Sequence, residues 1–279
     1  LPLPDDYYIT HTKGAIGAAK ILYVGVPPIK NFGYRQIRGL ASKALSALAE
    51  EKPRASHIVM TIHGVGYGLD ETEAFDSLIA GLVDAARDGD YPPDLTSIAI
   101  VDRDIRRAER LQKALADILP VSGIPVAVQI DDGASTHRNR LRAVGYDSDS
   151  KPHVFAVMPF TDDMDDVYHY GIKAAVNDAG YLCERADLSS FTGDVMEWVK
   201  QRIASASLVI ADLTTANPNV YLEVGYAWGR GIPTVLIVRD TDELKFDTRS
   251  QRCLPYKKIK ELEASLRKEL LELDAGPSL

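Results

Sequence analysis

The chain has 279 residues, 46% hydrophobic and 26% charged, the make-up of an ordinary globular protein with a length for about two domains. Lys+Arg 32 against Asp+Glu 40 leaves a net charge of −8, which argues against broad sequence-independent nucleic-acid binding but leaves room for a local basic pocket for a phosphorylated small molecule. Two cysteines, Cys183 and Cys253, supply no disulfide framework or zinc motif; with no membrane-length apolar run and no signal peptide, a reducing cytoplasm is the expected location.

In chain order, "ILYVGV" (21–26) reads as a buried strand, followed by a helix with apolar residues Ile37, Leu40, Ala41, Ala44, Leu45 and Leu48. "HIVMTIH" (57–63) is a second strand, and the helix after its glycine-rich loop carries Phe75, Leu78, Ile79, Leu82, Val83 and Ala86. "SIAIVD" (97–102) and an arginine-rich helix repeat the pattern, with Arg103, Arg106, Arg107 and Arg110 expected on a solvated face. The turn-prone "GYDSDSKPH" (145–153) reads as a linker, which gives two α/β domains, 1–145 and 150–279. Beyond it come the strand "HVFAVMPF" (153–160), a helix around 163–179, a short strand near 181–183 and a helix at about 194–205. The strand "LVIADL" (208–213), a helix from Pro218, the strand "TVLIV" (234–238) and the amphipathic "IKELEASLRKELLEL" complete the series. Strands alternating with amphipathic helices predict, in each domain, a mostly parallel sheet flanked by helices, the second domain being flavodoxin-like.

One residue breaks the pattern. In "ADLTTANPNVYLEVGYA" (211–227), Pro218 suits a first helical turn and Asn217 an N-cap. The apolar stripe then runs Val220, Val224, Ala227, and Glu223 fills the i+3 position of that stripe. A carboxylate there can snorkel to the rim or serve chemistry. Other polar residues fall at the carboxyl ends of the predicted strands, where α/β sheets bind ligands: Thr161, Arg185, Asp187, Asp212 and Thr214, with Asn217 and Asn219 on the next connection. Such a group suits glycosidic cleavage, whose oxocarbenium-like transition state a carboxylate stabilises or traps.

"VFAVMPF", "GYLCERADLSSFTGDV", "IASASLVIADLTTANPNVYLEVGYAWGRGIPTVLI" and "FDTRSQRCLPY" resemble the nucleoside 2-deoxyribosyltransferase-like group, which borders the Toll/interleukin-receptor (TIR) domains that hydrolyse NAD. The likeness covers roughly 150–258. It implies that Glu223 is catalytic and that Asp212 and Asn219 line the sugar pocket, with Arg185 and Asp187 carried over beside them; Asp212 is expected as the second catalytic group, and Thr161, Thr214 and Asn217, by their strand-end positions, as further substrate contacts. The serine- and tryptophan-bearing motif of many TIR domains is missing around Glu223, which leaves the base or leaving-group partner open. In the resembled families a neighbouring subunit often completes the site, so a homo-oligomer is expected. The end helix offers a stripe for it (Ile259, Leu262, Leu266, Leu270, Leu273), or uses that stripe to cover its own sheet.

"HGVGYGLDE" (63–71) places Gly64, Gly66 and Gly68 between a strand and a helix, where backbone N–H groups can hold a phosphate or simply form a tight turn. The loop resembles the glycine-aromatic-glycine loop of macro domains, and this half also resembles the amino-terminal domain of leucine aminopeptidases or, alternatively, nucleotide-sensing CARF domains. These resemblances imply an effector pocket, and "VPPIKNFGYRQ" (26–36), after the first strand, offers Lys30, Tyr34 and Arg35 either as further phosphate or base contacts or as plain surface residues. No histidine pair has metal-ligand spacing, so no metal is expected, and no cofactor beyond NAD as substrate. The expectation is a nucleotide-controlled NAD hydrolase resembling bacterial antiviral effectors. The alternatives are a nucleoside or nucleotide N-glycosidase or deoxyribosyltransferase, and a silent nucleotide-binding module.

Overall fold

Apolar periodicity decides where the elements form, but in the first half it does not decide which strands pair. The computed structural model describes residues 2–119, 139–185, 195–239 and 253–274. It is an α/β protein of two compact units, one comprising Leu1–Val65 with Glu71–Asp149 and the other Gly66–Asp70 with Ser150–Leu279. In the first unit, strand β1 (Tyr7–His11) runs antiparallel to β2 (Lys20–Val24) in a hairpin that pairs Tyr8 with Tyr23. The expected buried strand is therefore one arm of a two-stranded sheet, with Ile21 and Leu22 half-buried and Tyr23 exposed. Strands β3 (His57–Thr61) and β4 (Ser97–Val101) form a parallel pair.

The core of this unit is a helix pair. Helix α1 (Tyr34–Ala49) buries Ile37, Ala41, Ala44, Leu45 and Leu48, and α2 (Glu71–Asp88) buries Phe75, Leu78, Ile79, Leu82 and Ala85. They cross at Gly81, where a Cβ would lie 2.1 Å from the Arg38 carbonyl oxygen, so only glycine permits this approach. Arg38 is itself buried: Nε donates to Asp84 Oδ2 at 2.7 Å, and Nη1 to the carbonyls of Leu141 and Arg142 at 2.9 and 3.1 Å. The expected linker is anchored at its start. Ser148 is buried, accepts from the Gly145 amide at 2.8 Å and donates to Glu73. Helix α3 (Ile105–Ile118) corrects the reading of a wholly solvated arginine face, because Arg107 and Arg110 both hold the buried carboxylate of Glu71. A buried charge needs such partners.

The second unit is a five-stranded parallel sheet. Its strands are β5 (His153–Val157), β6 (Leu182–Glu184), β7 (Leu208–Asp212), β8 (Thr234–Val238) and β9 (Cys253–Pro255), in the spatial order β6-β5-β7-β8-β9. Counted from its own first strand this is 2-1-3-4-5, the flavodoxin order, with the strand order reversing between β5 and β7. Central strands β5 and β7 are buried along their whole length, which is why they read as unbroken apolar runs.

Side-chain alternation sorts the core into two layers. Val154, Ala156, Leu208 and Ile210 face helices α4 and α7. Helix α4 consists of an α segment Asp162–Asp166, a π segment Val167–Lys173 and an α segment Ala174–Asp178; α7 spans Ile259–Asp274. Phe155, Val157, Val209 and Ala211 pack on the other side with α5 (Val195–Ser205) and α6 (Pro218–Gly229). The stripe Leu262, Leu266, Leu270 of α7 is fully buried on its own sheet, so it is spent there rather than offered to another subunit.

Residues Gly66–Asp70 belong to this second unit and lie along the outer edge of β6. The Arg185 amide donates to the Gly68 carbonyl at 3.2 Å and the Cys183 amide to Asp70 Oδ2 at 3.0 Å. Two outward amides of an edge strand are thereby satisfied.

Candidate functional site

In a sheet of this order, ligands bind outside the carboxyl ends of the strands, where the order reverses. The connection leaving β7 at that place is unusual. Thr215 and Ala216 are both left-handed, with φ of 65° and 50°, although neither is glycine. Each such residue costs roughly 1–3 kcal/mol and persists only where the surroundings impose it. Here they do. Asp212 Oδ1 accepts from the Thr214 amide at 2.9 Å, and Thr214 Oγ1 accepts from the Arg239 amide at 3.0 Å. Asn217 then caps α6 by accepting from the Asn219 amide at 2.9 Å, with Pro218 in the first turn as expected.

Helix α6 delivers Glu223. Its stripe Val220, Val224 and Ala227 is buried, while Glu223, beside it, is half-buried. Among the described residues its carboxylate has no hydrogen-bond or ion-pair partner, and burial alone raises its pKa from 4.5 to about 7. The carboxyl is thus held near the midpoint of its titration at neutral pH, as general acids, bases and nucleophilic carboxylates often are.

Asp212 is placed differently from the expectation that pairs it with Glu223. Along β7 it shares the side of Leu208 and Ile210, which face α4 and α7, whereas α6 covers the opposite side. It is fully buried, and the Tyr256 hydroxyl donates to its Oδ2 at 2.7 Å. Burial pushes the Asp212 carboxyl up, and burial with the neighbouring Asp212 pushes the Tyr256 phenol well above its usual range. The structure therefore gives Asp212 two hydrogen-bonded partners within the fold and does not set it beside Glu223.

The remaining substrate candidates divide into two clusters. Thr161 precedes α4 and donates to Asp163 Oδ1 at 2.6 Å; Asp163 in turn meets Arg239 at 3.4 Å. Arg185, at the end of β6, pairs with Asp165 at 3.1 Å and lies 3.9 Å over the Tyr168 ring. Asp165 is held well below the usual carboxylate range, first by its hydrogen bond to His169 and then by Arg185. Thr214 is buried in the connection and Asn219 is exposed at the start of α6. Asp187 lies outside the described residues. Tyr256, Arg239, Asp163, Asp165 and His169 were not singled out by the sequence reading. A carboxyl-end position was legible for Arg239, which directly follows "TVLIV", but not for the others.

The glycines expected to bind an effector are divided between the two units, Gly64 in the first with Lys30 and Arg35, Gly66 and Gly68 in the second. Arg35 contacts Tyr146 and Asp149. Gly64 is buried in the first unit with φ +86°. Gly66 and Gly68 belong to the second unit, and Gly68, with φ +94°, faces the Trp198 ring so closely that a Cβ would lie 2.2 Å from it. At position 68 the positive φ and the nearby Trp198 ring both require glycine, whatever the loop binds. Asp70, four residues after Gly66, is a buried carboxylate that also meets Asn177 at 3.1 Å and Lys173 at 3.5 Å.

Compared with protein-family models and with curated proteins, the chain matches none. No helix among the described residues is long and apolar enough to cross a membrane.

Proposed function

We propose that the chain is an N-glycosidase that hydrolyses the nicotinamide–ribose bond of NAD, with Glu223 as the catalytic carboxylate. The observation that carries this reading is the state of Glu223: half-buried, without a hydrogen-bond or ion-pair partner among the described residues, and on the helix that follows the reversal strand. A desolvated carboxylate gains most from a cation forming beside it, and glycosidic cleavage forms an oxocarbenium-like sugar. Ionised Glu223 stabilises that cation or traps it, and water then takes the ribose carbon. Nicotinamide leaves as a neutral base from a cationic ring, so no acid is required for its departure.

The same raised pKa favours a second reading, cleavage of a nucleoside or nucleotide. There the leaving base is helped by a proton, and a carboxyl with a pKa of about 7 can supply one. The resemblance of the first half to nucleotide-binding domains supports control by a nucleotide signal and an antiviral setting, and that of the second half supports a homo-oligomer. The decisive experiment incubates the purified chain with NAD and with a nucleoside panel, each with and without cyclic oligonucleotides or ADP-ribose derivatives. Glu223→Gln is expected to keep its circular dichroism spectrum and to lose about 10²–10³-fold in turnover. A variant retaining more than about a tenth of wild-type turnover removes Glu223 from the chemistry.

A further inference from the structure

We infer that Asp212 and Tyr256 form a positioning pair, which holds the left-handed connection 214–216 and through it the entry of the helix that carries Glu223. The inference rests on the reading of Glu223 as the catalytic carboxylate. Tyr256 follows the edge strand β9, two strands away from β7, and donates to Asp212 Oδ2 at 2.7 Å in a buried place. The other carboxylate oxygen accepts from the Thr214 amide at 2.9 Å, so Asp212 ties β9 to the first residue of the connection. The Thr214 hydroxyl accepts from the Arg239 amide at 3.0 Å, which ties the same residue to the end of β8. Thr215 and Ala216, the two left-handed residues, come next, and Asn217 begins α6. Three strands thus converge on one residue immediately before a turn that non-glycine residues resist.

What this demands of Asp212 is two oxygen contacts, not a charge. Asparagine keeps an oxygen for the Thr214 amide, and its NH2 group can donate to a Tyr256 hydroxyl turned round to accept. A group that exchanges protons or stabilises a cation loses its function on the same change. Glu223 sits in the second turn of α6, so a shift of the helix entry moves it directly, and misplacement on the scale of 1 Å costs about 10²-fold in rate.

The test compares Asp212→Asn, Asp212→Ala and Tyr256→Phe for NAD turnover and for amide hydrogen exchange of the segment 213–219. Asp212→Asn is expected to stay within about threefold of wild type, while Asp212→Ala loses about 10²-fold in kcat with little change in KM. Tyr256→Phe, which keeps the ring, is expected to lose about tenfold. Exchange at 213–219 should quicken in the Ala and Phe variants and not in the Asn variant. If Asp212→Asn loses as much as Asp212→Ala, the carboxylate charge is required and the inference falls. Exchange that is unchanged in Tyr256→Phe, which also carries the test should Asp212→Ala fail to fold, overturns it as well. A wild-type chain that leaves NAD and nucleosides intact sinks the glycosidase reading alone, because the exchange results still decide the pair.

Discussion

Strands β3 and β7 each run into a helix through a connection that turns left-handed, and each is followed by a carboxylate, Asp70 at the end of the first connection and Glu223 on the helix after the second. In the first, Gly64 and Gly68 supply the positive φ, and Asp70 is closed in by the Cys183 amide, Asn177 and Lys173. In the second, Thr215 and Ala216 supply it, and Glu223 on the following helix is left without a partner among the described residues. Glycine makes a tight turn cheap, so three glycines in a loop say little about a ligand. Left-handed threonine and alanine are costly, so the surroundings must hold them, and such strain gathers at functional sites. The carboxylates differ in the same sense. Asp70 is matched inside the fold, whereas the described residues give Glu223 no counter-charge and burial alone raises its pKa.

The sharpest break of this comparison removes Asp70. Asp70→Ala leaves the Cys183 amide without its acceptor and takes a counter-charge from buried Lys173, so a loss of about 3–5 kcal/mol is expected, read by chemical denaturation. A loss below about 1 kcal/mol would mean that water or a ligand reaches the site, and Asp70 would then belong with Glu223.

Next comes the pH dependence of Glu223. With the carboxylate as the active form, kcat/KM for NAD falls about tenfold per unit below pH 7 and levels off above it, since kcat/KM reports the free enzyme. In kcat the midpoint should lie lower, because a bound cationic ring favours the ionised form. If the carboxyl instead gives a proton to a leaving base, the limb is inverted and activity falls above pH 7. The profile therefore separates the two glycosidase readings.

The same pKa makes Glu223 a cost to the fold. Its folded value, about 7, is above its ordinary 4.5, so both states are protonated below 4.5 and both ionised above 7. The penalty is absent at low pH, grows between those values and is complete above 7. At about 1.4 kcal/mol per unit it is at most roughly 3.5 kcal/mol. Glu223→Gln should therefore melt higher than wild type at pH 8 and show no such gain at pH 4, as scanning calorimetry would record. A variant that melts lower at pH 8 would show that the carboxylate has a stabilising partner in the folded protein.

Much of the second unit was legible because buried parallel strands write themselves as apolar runs and their helices as stripes; Glu223 stood out as a charge on such a stripe. Its lack of a partner among the described residues was not legible, since that depends on which side chains the fold brings near it. Asp212 misled for the reverse reason. A carboxylate at a strand end reads alike whether it faces α6 or, as here, the side closed by Tyr256 from a strand 44 residues later. The pairing of β2 with β1 was also missed, because an apolar run does not say whether its neighbour is parallel or antiparallel. In the glycine loop, spacing alone could not tell a phosphate from the Trp198 ring.

The smallest expected effect lies on α6 itself, at Gly225, about two turns from the cap residue Asn217 and two residues after Glu223. Gly225 is exposed, its φ is not positive, and a Cβ there meets nothing within 4 Å. Alanine in a helix interior is favoured over glycine by about 0.5–1 kcal/mol, so Gly225→Ala should raise Tm by about 1–4 °C. Turnover should not change, because the added methyl points to solvent and the buried stripe of the helix is untouched. That outcome keeps the division between a rigidly held helix entry and an unencumbered outer face. Lower turnover in Gly225→Ala, together with a changed elution volume in size-exclusion chromatography, would place a second copy of the chain against this face, where Leu222 and Trp228 are also exposed. The oligomer would then be assembled through the catalytic helix rather than through α7, whose leucine stripe is already buried on its own sheet.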